Sequence, residues 1–326
     1  MKLSRPILLI SAAIAVFVTC AVGVAQQTEE PQQIADPDFK PAVERPSYTT
    51  VGPFVVLDEA HGNFHTASGR YKPFADLLQA DGYRVAAGAQ PFTAAALQET
   101  QVLVIANALG SGITPANIND PPSAFADAEC DAVRDWVRGG GSLLLIADHA
   151  PFGATAASLA SRFGVEMGKG YAWTVSNNSP EPSTTIAYSR ENGRLGDHAI
   201  TRGITRVVAF TGQSLSVPSG ATVLLRFGDG AYESTGADAQ GDMEAFRGGK
   251  PHAARNITGR AQGIAFEYGI GRLVIMGEAA MFSAQVARFT DPSGRGNEIK
   301  MGMNVPGNDN RQFLLNIMHW LTRLGE

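Results

Sequence analysis

The chain has only two cysteines in 326 residues, Cys20 and Cys130. Once a leader carrying Cys20 is removed, Cys130 stands alone, which excludes an internal disulfide framework. Positive charge is also scarce: 26 Lys and Arg face 31 Asp and Glu, a formal net charge of −5. Losing Lys2 and Arg5 with the leader takes the charge to −7. A nucleic-acid binder needs a basic footprint, and this chain lacks one. After residue 25 no apolar run is long enough to cross a bilayer. Histidines number six, so each position carries weight.

What is present begins with a leader. Lys2 and Arg5 form a basic start, Pro6 to Val18 is apolar, and no charge follows until Glu29. Gly23-Val24-Ala25 puts small residues where a signal peptidase reads, so residues 1–25 are expected to be a cleaved signal peptide. The rival reading is an uncleaved membrane anchor, and only then would a membrane be a partner. A lipoprotein at Cys20 fits poorly, because Thr19 precedes it. In either case the body is expected outside the cytoplasm, periplasmic or secreted if the leader is cleaved and anchored to the inner membrane if it is not. Residues 26–50, rich in Gln, Glu, Asp and Pro without an apolar period, read as an extended or disordered linker.

Hydrophobic residues at 44% and charged residues at 17% suit a globular body over 51–326. Phe54–Leu57, Val102–Ile105 and Leu143–Ile146 are short apolar runs of the doubly buried strand kind. Helices are expected over about 71–80, 126–138 and 154–163, the first with Pro73 in its opening turn. Gly139-Gly140-Gly141 ends the second. Strands alternating with helices predict an α/β fold, a doubly wound, mostly parallel sheet of flavodoxin-like kind. Residues 164–260, rich in Gly, Ser, Thr and Asn, read as a loop-rich insertion with minor strands at 207–210 and 223–227. Gly263–Tyr268 and Arg272–Met276 predict an antiparallel pair about the Gly269–Gly271 turn. A last helix over about 311–324 carries Phe313, Ile317, Trp320 and Leu324 as its core stripe, with Asp309 as candidate cap.

Three segments carry a resemblance. Gly140 to His149, Gly196-Asp197-His198-Ala199-Ile200-Thr201-Arg202-Gly203-Ile204, and Gly271 to Glu278 resemble the motifs of class I glutamine amidotransferase-like domains. The branch they are similar to includes trehalose-utilisation-type proteins and accessory domains attached to some glycosidases and transport systems. The resemblance spans most of 52–324 and implies the amidotransferase-like fold, with a small-molecule or carbohydrate ligand. Active members place a cysteine on the turn after the strand that here runs into Ala147. Asp148 and His149 stand there instead, and neither replaces a thiolate in glutamine hydrolysis. No small-x-Ser-x-Gly elbow supplies a serine. The chain is therefore not expected to be a glutaminase.

The remaining chemistry lies just beyond the strands, where a parallel sheet binds its ligands. Asp58, Glu59, His61 and His65 follow the first strand, Asn107 the third, Asp148 and His149 the fourth, and Glu278 the last. Packing alone gives no reason to end apolar strands this way. Three readings stand. In the first, Asp58, His61, His65 and Glu278 hold a divalent transition metal, zinc, manganese or iron, in a hydrolase with Glu59, Asp148 and His149 in catalysis. Gly62-Asn63 between the two histidines makes this a loop rather than a helical zinc motif. In the second, the side chains bond to one another and to loop amides. In the third, they form a metal-free ligand site. Arg70, Asn107 and His198 are candidate substrate contacts. Cys130, on a helix between acidic neighbours, reads as a spectator thiol. Two functions follow: a hydrolase of a small polar or carbohydrate-like substrate, or a noncatalytic binding or accessory module of the cell envelope.

Overall fold

A computed structural model describes residues 32–114, 116–118, 120–176, 179–235, 239–290 and 295–325. The expected signal peptide lies outside the described residues. Along the chain the first elements are β1 (Gln32–Ala35), β2 (Phe54–Asp58), α1 (Lys72–Ala80), β3 (Arg84–Gly88) and α2 (Ala94–Leu97). Then come β4 (Val102–Ala106), α3 (Asp127–Arg138), β5 (Ser142–Ile146) and α4 (Phe152–Ser161). The middle region holds β6 (Gly170–Ser176), β7 (Ser179–Ser183), β8 (Thr185–Ser189), β9 (Arg206–Phe210), β10 (Thr222–Arg226), β11 (Ala231–Thr235), α5 (Ala239–Arg247) and β12 (Arg255–Asn256). The chain closes with β13 (Ala261–Tyr268), β14 (Gly271–Met276), β15 (Ala284–Thr290), β16 (Gly296–Gly302) and α6 (Asn310–Leu321).

The central sheet has seven strands in the order β10-β13-β14-β5-β4-β2-β3. β3, β2, β4, β5 and β14 pair in parallel. β13 runs antiparallel to β14 from the expected turn, and β10 runs antiparallel to β13. The five parallel strands follow the flavodoxin-like 2-1-3-4-5 order, so the carboxyl ends share one rim. Each central strand is buried on both faces, and its residues alternate between two cores. Leu144, Ile146, Val102, Val104, Val274 and Met276 meet α1 and α6 on one face. Leu143, Leu145, Leu103, Ile105, Leu273 and Ile275 meet α2, α3 and α4 on the other. That is why the strands read as continuous apolar runs rather than alternating ones.

Several expectations are corrected. Residues 32–50 are not a free linker. β1 pairs with β15, and Phe39, Val43 and Tyr48 pack on the core. The Ser47 amide donates to Asp81 Oδ1 at 2.8 Å, and Arg311 covers the Phe39 ring at 4.9 Å. Isolated apolar anchors hold this strap, so no periodicity announces it. The insertion is likewise built of strands: β12-β11-β6-β7 form a second sheet and β8-β9 a pair. β10, expected as a minor strand, joins the central sheet. Finally, α6 ends at Leu321, and Leu324 is 42% exposed rather than in the core stripe. Asp309 does not cap α6 with its side chain; it accepts the amides of Thr205 and Arg206 at 2.7 and 2.9 Å.

No helix among the described residues is long and apolar enough to cross a membrane. Leu144, fully buried at the centre of the sheet, should lose about 2–5 kcal/mol of stability as Leu144→Ala. Leu324→Ser should change stability by less than about 0.5 kcal/mol. Urea unfolding of the two variants measures both.

Candidate functional site

The parallel order brings Asp58, Asn107, Asp148 and Glu278 to the carboxyl ends of β2, β4, β5 and β14. All four are buried, at 0–6% exposure. Asn107 adopts a left-handed backbone, φ 50°, directly after β4. Its side-chain oxygen accepts the Asp148 amide at 2.9 Å and joins two strand ends. Asparagine tolerates this conformation better than most residues. Gln213 supports the same turn: its Nε2 donates to the carbonyls of Ala147 and Asp148 at 2.8 and 3.0 Å.

Asp148 and Glu278 are the electrostatic centre. Glu278 is fully buried and accepts the amides of Ala280 and Met281 at 2.7 and 2.9 Å. Burial, then the charge of Asp148, pushes the Glu278 carboxyl well above its usual range, against the pull of the Met281, Ala280 and Phe210 amides. Burial also raises Asp148, against the charge and amide of His149, the Ala279 amide and Asn107. Tyr71 donates to the Ala279 carbonyl at 2.8 Å, beside this pair.

The histidines divide between two places. His61 belongs to a separate network, with Nδ1 2.9 Å from both Asp58 oxygens and Nε2 2.9 Å from Glu129 Oε1. Its ring lies against Phe92 and Phe125, with centroids at 4.5 and 4.8 Å. Burial alone lowers its pKa, but the bonds and charges of Asp58 and Glu129 together outweigh burial and raise it. Asn63 donates to Asp58 Oδ2 at 3.0 Å. Glu59 accepts the Ala67 amide at 2.7 Å and braces the loop.

His65 and His149 sit nearer Asp148, in an arc of rings. Tyr171 stacks on His149 at 4.5 Å, His149 meets Phe152 at 5.9 Å, and Phe152 meets Phe64 at 5.6 Å. Phe64 meets His65 at 5.3 Å, and His65 stacks on Tyr71 at 4.4 Å. Burial, then Arg70 and His149, drives the His65 pKa down to about 3. His149 places its Nδ1 2.8 Å from the Ala150 carbonyl.

The metal set proposed from sequence is not brought together as one shell. Asp58 accepts from His61 and Asn63, the other His61 nitrogen faces Glu129, and both Glu278 oxygens accept amides. Among the described residues no three His, Cys, Asp or Glu side chains form a metal-holding group. These groups are engaged in hydrogen bonds among themselves and with backbone amides. His198 does not join the rim. It packs on Trp320 at 5.1 Å near Arg272, where β14 begins, so it stands at the opposite end of the sheet. Cys130 is buried on α3, and burial raises its thiol pKa.

No protein-family model and no curated protein matches the chain. Among solved structures, the mmIFT52 N-terminal domain superposes with a TM-score of 0.54 at 14% identity, covering 82% of this chain and 97% of that one. The two chains share a fold. A ThuA-like protein from Bacteroides uniformis gives a TM-score of 0.44 at 13% identity, over 88% of this chain and 95% of its own. A GMP synthase protein from Thermoplasma acidophilum gives 0.41 at 10% identity, over 83% and 95%. Likeness at such identities concerns fold alone.

Sequence reasoning missed Glu129 and Gln213. Glu129 had a signal: it stands at the third position of α3 and accepts the Ala126 amide at 2.9 Å, half of a capping box. Gln213 had none, because its role depends on contacts with residues 65 and 66 positions away.

His61 and His65 act oppositely with pH. His65 is held neutral with a folded pKa of about 3 against 6.5, so its contribution falls as pH drops below 6.5. That amounts to about 2 kcal/mol by pH 5. The His61 pKa is raised, so its contribution is complete below 6.5 and is lost as pH rises through the folded value. His65→Phe keeps a ring in the stack and should remove most of the acid loss between pH 7 and 5. Urea unfolding at several pH values tests this; an unchanged acid slope means that His65 is not buried as a neutral ring.

Proposed function

We propose that this chain is an exported hydrolase of a small polar or carbohydrate-like substrate, with the rim beyond β5 and β14 as its acid–base site. The observation that supports it is the buried carboxyl pair, Asp148 and Glu278, with both groups raised. Structural carboxylates are generally lowered by their partners. A carboxyl raised toward neutrality at the ligand-binding end of a parallel sheet suits general acid–base work. Asp148, at 6% exposure, is the member within reach of a ligand. Glu278, at 0%, is closed off from a ligand and acts through Asp148 as a positioning residue, its own carboxyl raised by burial and then by the charge of Asp148. His149, next in the chain and stacked on Tyr171, orients the substrate or takes the second proton.

The carbohydrate-like ligand comes from the resemblance of the three motif segments to trehalose-utilisation-type and glycosidase-attached domains. The basic and apolar leader supports a place outside the cytoplasm, free or anchored. Glutamine hydrolysis stays outside the proposal, since Asp148 and His149 occupy the nucleophile's turn. One observation favours a second reading, a noncatalytic binding module: both Glu278 oxygens and the Asn107 oxygen are already taken by backbone amides.

Asp148→Asn separates the two. A carboxyl raised in the folded state makes stability fall as pH rises from its unfolded value through its folded value. The variant should therefore melt at or above the wild-type temperature at pH 8. Its turnover on a panel of chromogenic glycosides and esters should fall about 100-fold or more. Loss of stability with no turnover in the wild type would instead make the rim a structural network and sink the enzyme reading.

A further inference from the structure

Arg70 is the unusual cation of the rim. It precedes α1, and its guanidinium lies over the Phe64 ring with the central carbon 3.9 Å from the centroid. Its Nε is buried without a hydrogen-bond partner. No acidic side chain among the described residues pairs with it, and burial alone lowers its pKa. The other strongly engaged arginines differ: Arg134, Arg162, Arg255 and Arg272 each meet a carboxylate at 2.6–3.3 Å. The edge of the same Phe64 ring meets His65, 2% exposed, whose Nδ1 is also buried without a partner. Native proteins pair buried polar atoms almost without exception, so two unpaired groups around one ring need a reason.

An oxyanion from the ligand supplies that reason. The guanidinium fork matches the two oxygens of a carboxylate, and a cation withdrawn from water gains most from such a bond. We infer that Arg70, with His65 beside it, is the subsite for the carboxylate of a small acidic ligand, such as a sugar acid, bound at the rim. The inference rests on the rim being the ligand site and adds the charge class of the ligand. His65 stays neutral, its pKa driven down to about 3, so the subsite offers one positive charge. A single positive charge favours a monoanion over a phosphate dianion. The Phe64 ring holds the guanidinium in place, and the unpaired His65 nitrogen gives a second polar contact. No other described arginine combines a ring floor, an unpaired buried nitrogen and a place at the carboxyl ends.

Calorimetric titration of the full chain with D-glucuronate, D-glucose and inorganic phosphate tests it, on wild type and Arg70→Gln. Circular dichroism confirms that the variant is folded, and Arg70→Lys serves as the conservative variant. Glucuronate should bind at least tenfold more tightly than glucose or phosphate. Arg70→Gln should abolish that preference by weakening glucuronate to the affinity of glucose, while Arg70→Lys restores part of it. Equal binding of glucuronate and glucose, or a preference that survives Arg70→Gln, overturns the subsite while the rim remains the ligand site. Phosphate binding tightest, with the same loss in Arg70→Gln, overturns the carboxylate assignment. Binding of none of the three overturns both the subsite and the rim reading.

Discussion

Everything at the rim depends on the parallel pairing of β5 with β14. The register sets Ser142 against Arg272 and Ile146 against Met276. Because the strands are parallel and in register, the residues just past their ends meet, and Asp148 comes beside Glu278. An antiparallel pairing would have sent Glu278 to the opposite end. The cost of placing two carboxyl groups together is borne by burial of Leu143–Ile146 and Leu273–Met276 on both faces. The site is thus a local electrostatic strain held by a large apolar core, a common arrangement where function opposes stability.

The two sides of the rim solve the polar problem differently. On the β2 side, Asp58, His61, Asn63 and Glu129 satisfy one another, and opposite charges meet at hydrogen-bond distance. That network ties the loop after β2 to the first turn of α3. Around Asp148 and Glu278, like-charged carboxyls are neighbours, and in the loop after β2 His65 Nδ1 and Arg70 Nε are buried without a hydrogen-bond partner. The first arrangement is what structure alone requires. The second keeps two carboxyl groups raised side by side, an arrangement that structure alone does not require.

The aromatic arc links these chemical facts to shape. Tyr171 comes from the second sheet, His149 and Phe152 from the turn and helix after β5, Phe64 and His65 from the loop after β2, and Tyr71 from the start of α1. The insertion therefore acts as a wall, since β6 carries Tyr171 onto His149 and lets the Tyr171 hydroxyl reach the Ala150 carbonyl at 3.0 Å. A segment that reads as loose Gly- and Ser-rich chain in fact packs an ordered strand against the strand-end rim.

The sequence by itself determined the parallel α/β core and the residues at its strand ends. Doubly buried strands are written as uninterrupted apolar runs, and an Asp, Asn or Glu directly after such a run has no place in the core. Tertiary structure alone decided the partners. Glu129 reaches His61 from 68 positions away, residues 32–50 fold back on α6 through isolated anchors, and β10 joins the sheet edge. It also decided that His198 lies at the wrong end of the sheet to serve the rim. Local patterns record burial and backbone conformation over a few residues. Which distant side chains share a hydrogen bond, a ring stack or a charge is set by how the elements pack, and no short-range pattern carries that information.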